Sequence, residues 1–219
     1  MALLPVTRGP SDSDIFARIV SALHEYGYII LHDAFSLAQL NRLFIDIKET
    51  DQNDFYQAGV GRDQIHRKNP FVRRDRICWL DTGRVAAQPY LEWMEQLRLT
   101  INRELFLGLF DYESHYAHYP KGAFYKKHVD AFKGESIRHL STILYLNPVW
   151  QVEDGGELVL YDTDGVTVLE TVIPAFGTMV IFLSEDFPHE VLTAKRSRYS
   201  LTGWFRVNTT DSVHLDPPA

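Results

Sequence analysis

Along the first half of the chain, apolar residues return at the three-to-four spacing of helices packed on one side. Ile15, Phe16, Ile19, Val20 and Leu23 form one such stripe, with Ser11, Asp12 and Ser13 available to cap its start. Gly27 ends that segment and residues 28–31 read as a short strand. A second helix is predicted over 37–48, with Leu40, Leu43, Phe44 and Ile47 on one face, and a third over 90–107. Beyond residue 110 the pattern changes. Short β-branched and aromatic runs separated by Gly, Pro and Asp predict strands at 112–119, 124–130, 140–147, 157–161, 167–172, 178–183, 190–193 and 199–207.

Short strands repeated at this spacing suggest a jelly roll or closed barrel, with the early helices packed on its outer side. The expected fold class is therefore α+β. A chain of 219 residues can bury one sizeable core, so one domain is expected over 1–219. Within it, 1–110 would be mainly helical support, 111–208 the jelly-roll core and 209–219 a tail. No internal repeat or linker divides the sequence.

Composition narrows the function classes. A formal charge of −7 argues against gripping phosphate backbones, so no nucleic-acid partner is expected. Cys78 stands alone, which leaves no disulfide framework, and its Trp- and Ile-rich surroundings suit a small buried hydrophobe. The sequence has no run of about 18 apolar residues, and nothing in 1–10 resembles a secretory leader. A cytoplasmic protein without membrane contact is the expectation. The stretch 61–76 departs from this acidic background: Arg62, Arg67, Lys68, Arg73, Arg74 and Arg76 face only Asp63 and Asp75. Such a segment reads either as a solvated loop or as a mobile flap that recruits an acidic partner.

His128-Val129-Asp130 sits near the end of a predicted strand, where residues two apart share a face and can approach one ion. Alone the pattern is weak, as His214-Leu215-Asp216 in the Pro-rich tail illustrates. The later His189, ahead of a strand-like run, adds a second imidazole. Two imidazoles and a carboxylate suit the facial triad of non-haem iron, with open positions for further ligands. A closed zinc site would want four ligands, and Cys78 has no companion. Arg198 follows His189 by nine residues. Placed inside a barrel it would need an anion, and a dicarboxylate suits its planar fork; otherwise it is an exposed turn residue beside Lys195 and Arg196. Tyr145 and Tyr119 could add hydroxyl contacts or simply fill core.

Taken in order, Arg76-Ile77-Cys78-Trp79-Leu80, Tyr119-Pro120, His128-Val129-Asp130, Tyr145-Leu146-Asn147, Gly155-Gly156-Glu157-Leu158, Pro188-His189-Glu190-Val191 and Arg198-Tyr199 resemble the prolyl 4-hydroxylase family. That family includes the hypoxia-inducible factor prolyl hydroxylases and their bacterial relatives. The resemblance implies a double-stranded β-helix, the cupin-like form of the jelly roll, and an Fe(II)- and 2-oxoglutarate-dependent dioxygenase using O2, with ascorbate a further candidate cofactor. It implies that His128, Asp130 and His189 hold the iron, and that Arg198 and Tyr145 bind the distal carboxylate of 2-oxoglutarate. Tyr119 would lie beside the chelating end, while Ile143, Leu158, Thr202 and Trp204 line the pocket. Arg138, Trp79 and Arg76 would meet the substrate, and 61–76 would be the loop that closes over it. That loop is more basic here than in animal members, and the segment from Tyr119 to His128 is one residue shorter.

The implied reaction hydroxylates a prolyl C4 in a protein, with 2-oxoglutarate decarboxylated to succinate. Elongation factor Tu is the candidate target, and a monomer is expected. Two alternatives stay open: the same chemistry on a free amino acid or other small molecule, and a non-catalytic cupin-like domain that binds metal as a sensor.

Overall fold

The computed structural model describes residues 11–50, 52–58, 69, 71–81, 83–131 and 137–208. The basic segment 61–68, residue 70 and the tail 209–219 lie outside the described residues, as do residues 1–10. Of the segment expected to form a flap, Asn69 and residues 71–76 are among the described residues.

Three helices form where the apolar stripes predict them. Helix α1 (Asp12–Glu25) opens on a capping box between Ser11 and Asp14 and buries Ile15, Phe16, Ile19 and Leu23. Helix α2 (Leu37–Glu49) repeats the device with Ser36 and Gln39 and buries Leu40, Leu43 and Ile47. Helix α3 (Gln88–Leu105) has proline in its first turn and stops at Phe106, whose φ of 56° is left-handed. Its Trp93 meets Phe16 edge-on at 5.0 Å, and its indole N–H donates to the Asp12 carboxylate, locking α3 to α1.

Eleven strands are described: β1 (Tyr28–Leu31), β2 (Tyr56–Gln57), β3 (Arg76–Trp79), β4 (Leu109–Tyr119), β5 (Tyr125–His128), β6 (Arg138–Tyr145), β7 (Leu158–Tyr161), β8 (Val168–Val172), β9 (Met179–Leu183), β10 (His189–Val191) and β11 (Arg198–Val207). They form a seven-stranded sheet in the order β1-β9-β6-β11-β4-β3-β2 and a four-stranded sheet in the order β5-β10-β7-β8. Neighbours within each sheet pair antiparallel, which gives the expected double-stranded β-helix. The eight strands predicted beyond residue 110 all form, with ends shifted by a few residues. Strands β2 and β3 were not predicted, because so few residues between polar neighbours carry little periodic signal. Strand β1 also joins the large sheet, pairing Tyr28 with Phe182.

Period-two alternation splits the interior into two cores. On the helix side of the large sheet, Tyr116, Leu140, Leu144, Met179, Ile181, Leu201 and Phe205 pack against the helices. On the other face, Ala117, Tyr119, Ile143, Tyr145, Val180 and Phe182 meet Leu158, Leu160 and Val191 of the small sheet. Cys78 is buried on the helix side, as a small hydrophobe. A chain of hydroxyls also crosses that side: Tyr90 to Tyr112 at 2.7 Å, and Tyr112 to Thr142 at 2.7 Å. Gly203 lies against this chain. A methyl group there would overlap the Tyr112 hydroxyl and stand 2.7 Å from the Glu113 carbonyl oxygen. Gly203→Ala is expected to destabilise the fold by about 1–3 kcal/mol, read as a lower urea midpoint; an unchanged midpoint would contradict this packing.

Candidate metal and co-substrate site

Cross-strand register fixes what shares the inner face of the large sheet, because directly opposed residues point the same way. Trp204 pairs with Ser141 and Glu113. One row on, Thr202 pairs with Ile143 and with His115, which pairs in turn with Trp79. Next come Ser200, Tyr145 and Ala117, and finally Arg198 with Tyr119.

At one end of this lattice, three potential ligands converge. His128 closes β5 and His189 opens β10 as its direct cross-strand partner. Asp130 lies two residues beyond His128, so strand geometry keeps it near both imidazoles. The Asp130 Oδ1 atom is 3.5 Å from His128 Nε2 and 3.7 Å from His189 Nε2, and the three ligand atoms lie within 4.8 Å of one another. Each imidazole has its other nitrogen engaged: Nδ1 of His128 donates to the Lys126 carbonyl at 2.8 Å, and Nδ1 of His189 to the Phe187 carbonyl at 3.1 Å. This fixes the tautomer and leaves both Nε2 lone pairs facing Asp130. Burial and the neighbouring His128 push the His189 imidazole down to about 4, so it is neutral near pH 7. Burial opposes ionisation of Asp130, yet His189, His128 and the Ser141 hydroxyl together hold its carboxyl well below the usual range. Deprotonated donors of this kind are what a divalent cation requires. The second Asp130 oxygen accepts from Ser141 Oγ at 2.7 Å and from the Trp204 indole N–H at 2.9 Å. The donor set therefore fits a non-haem iron with open coordination positions.

At the other end lies Arg198, 1% exposed. Its Nε donates to the Gly156 carbonyl at 2.9 Å, and its guanidinium carbon sits 4.7 Å from the Tyr119 ring and 4.9 Å from the Tyr145 ring. Among the described residues no carboxylate forms an ion pair with it. The Tyr145 hydroxyl is buried beside it and has no hydrogen-bond partner among the described residues. A buried cation next to an unused hydroxyl is costly unless an anion completes it, and a carboxylate does so. The paired glycines make room for this end: a Cβ on Gly155 would lie 2.5 Å from the Thr193 carbonyl oxygen, and one on Gly156 3.0 Å from Arg198 Cδ.

Most of the expected site residues come together here. Ile143, Leu158, Tyr119 and Tyr145 are buried between the sheets, and Thr202 and Trp204 lie in the rows described. Arg138 stacks on Trp204 with its guanidinium carbon 3.6 Å from the ring centroid and pairs with Glu113 at 2.8 Å. Trp79 is 40% exposed at the same rim. Arg76 is the correction. It alternates with Trp79 along β3 and pairs with His118, whose ring stacks on Tyr199 of the helix-side core, so Arg76 faces away from the site. Three features escaped the sequence reading. Tyr125 stacks on His128 with ring centroids 3.5 Å apart, and Arg73 caps Tyr125 at 4.3 Å. Arg73 also donates from Nε to the buried Asp75 at 2.7 Å, anchoring the described end of the basic segment beside the metal site. The third is His115, whose only sequence signal was its alternation with Ala117 and Tyr119.

Comparison with known proteins agrees with this geometry. Residues 114–206 match the family model described as the 2OG-Fe(II) oxygenase superfamily. The crystal structure of a prolyl-4-hydroxylase from Pseudomonas putida superposes with a TM-score of 0.79 at 40% identity, covering 88% of this chain and 98% of that one. The chain belongs to the 2OG-Fe(II) oxygenase superfamily. A Trichoplax adhaerens prolyl hydroxylase, solved in complex with a hypoxia-inducible factor peptide, shares the fold with a TM-score of 0.78 at 24% identity, covering 89% of this chain and 90% of that one. The hypoxia-inducible factor prolyl hydroxylase of Caenorhabditis elegans is 26% identical over 87% of this chain. The oxygenase spans only 28% of that relative's length, and between 18% and 57% of the other curated relatives it matches. Superfamily chemistry uses Fe(II), 2-oxoglutarate and O2. Among the described residues, no helix is long and apolar enough to cross a membrane.

Removing either donor to Asp130, by Ser141→Ala or Trp204→Phe, is expected to weaken Mn(II) binding about 10- to 100-fold. Calorimetric titration of the metal-free oxygenase checks this.

Proposed function

We propose that this oxygenase hydroxylates C4 of a prolyl residue in a protein, with Fe(II) held by His128, Asp130 and His189 and 2-oxoglutarate anchored through its distal carboxylate by Arg198 and Tyr145. The observation that carries this reading is the pairing of two incomplete sites between the two sheets: a three-ligand cluster whose Nε2 atoms converge on Asp130, and a buried arginine that has no anionic partner among the described residues. When bound, the cofactors supply the oxidation, in which 2-oxoglutarate becomes succinate and CO2 while one oxygen atom of O2 enters the substrate. The chain supplies placement. Arg198 offers a rigid fork that fixes one end of the dicarboxylate, with the Tyr145 hydroxyl donating beside it. Ser141 and Trp204 hold one Asp130 oxygen, which would leave the other for the metal. Ile143, Leu158 and Thr202 would wall a co-substrate bound between the two ends and keep water from it. Tyr119, packed on Arg198, closes that wall.

For the target, Arg138 and Trp79 form a rim where a polypeptide can lie, and the solved relative with a bound peptide supports a protein substrate. Elongation factor Tu is the candidate, met by a monomer in the cytoplasm. Regiochemistry has a second reading, because a mouse protein named as a prolyl 3-hydroxylase is 37% identical over 101 residues of this chain.

Incubation of proline-containing peptides with Fe(II), 2-oxoglutarate and O2 is expected to add one oxygen to proline, with one succinate formed per hydroxylation. Fragmentation against 3- and 4-hydroxyproline standards separates the two positions. His189→Ala is expected to abolish turnover, and Arg198→Met to weaken 2-oxoglutarate binding by more than about 10-fold. Oxidation of a free amino acid instead of a peptide would move the substrate class. Absence of succinate under all conditions would favour a non-catalytic metal-binding domain.

A further inference from the structure

His115 has no part in the assignments above, yet it occupies the inner face of the large sheet at the metal end. It is 3% exposed. Register places it between Trp79 on β3 and Thr202 on β11, one row from the Trp204–Ser141 pair that holds Asp130. Its ring lies 5.0 Å from that of Trp79 and 5.3 Å from that of Trp204, so aromatic walls fix its orientation. The Nδ1 atom is buried and finds no hydrogen-bond partner among the described residues. Buried polar atoms are nearly always satisfied, and although His118 Nδ1 on the helix-side face of β4 is also unpartnered, only His115 stands on the inner face beside the indole that holds Asp130. One left open in a site that must admit an anion points to that anion as the partner.

We infer that His115 is a further positioning residue, hydrogen-bonding the 2-oxo acid head of bound 2-oxoglutarate at the metal end while Arg198 holds the opposite end. The inference rests on the proposed co-substrate site. Position favours this end over the other: His115 sits two rows from Arg198 along β4, next to the indole that donates to Asp130. Burial first, and then the nearby Arg73 and Arg138, push the imidazole down to about 3 against the opposing pull of Asp130, so it is neutral and offers one N–H and one lone pair. The positive charge at the site would come from Arg198 and the metal, and His115 contributes direction.

The test is 2-oxoglutarate binding to the full chain loaded with Mn(II), read by calorimetry, so that no turnover is needed. His115→Leu is expected to raise the Kd about 10- to 100-fold, the range for a hydrogen bond to a charged group. His115→Gln, which keeps an N–H, is expected to restore binding to within about threefold of the parent. The KM for a peptide substrate at saturating 2-oxoglutarate should not move in either variant. Should His115→Leu fail to fold, as judged by thermal unfolding, His115→Met fills the same space with a more adaptable side chain and carries the same expectation. An unchanged Kd in the apolar variant, or a change confined to peptide KM, overturns the inference. Failure of the parent protein itself to bind 2-oxoglutarate would instead overturn the reading of the site on which it rests.

Discussion

One carboxylate ties the two halves of this barrel together. Asp130 leaves the end of a small-sheet strand, yet one of its oxygens is held by Ser141 and Trp204 of the large sheet. The other oxygen faces two imidazoles paired across the small sheet. The spacing of the sheets and the geometry of the metal ligands are therefore set by the same contacts. Pulling the sheets apart would cost the hydrogen bonds that aim Asp130, and misplacing Asp130 would leave a buried charge unsatisfied. Second-sphere donors of this kind orient the ligand as well as stabilise it.

Arg198 imposes the complementary constraint. A guanidinium packed between two tyrosine rings and bonded to a backbone carbonyl is held rigidly but not neutralised. Desolvating a charge in this way is unfavourable for folding alone, and a dicarboxylate binding there would recover part of that cost. The core is thus polar at two ends and apolar between them, where Ile143 and Leu158 lie. That polarity suits the superfamily's co-substrate, 2-oxoglutarate, which carries a carboxylate at one end and a chelating 2-oxo acid at the other.

The rim carries the remaining chemistry. Trp79, Trp204 and Arg138 stack beside the metal end, and the Arg73–Asp75 pair reaches it from the described end of the basic segment through Tyr125. Stacking transmits position: a change in where Arg73 lies changes the support of the His128 ring. This connects the segment leading into β3 to a candidate metal ligand through direct contacts.

Local pattern in the sequence determined the helices, the later strands and the triad. Apolar stripes and alternation are written into neighbouring residues, and ligands at strand ends keep their spacing when the strands form. Arg198 was legible for a related reason, being tied to His189 by a short connection between strands consecutive in the chain, although β10 and β11 join different sheets. Only tertiary structure decided which faces those residues share. Strands β1 and β3 join the large sheet through partners distant in sequence, and a one-residue change of register would have exchanged the faces of Arg76 and Trp79. The same holds for His115. That its buried nitrogen lacks a partner depends on what β3 and β11 bring alongside it, and long-range pairing leaves no trace in the residues on either side of it.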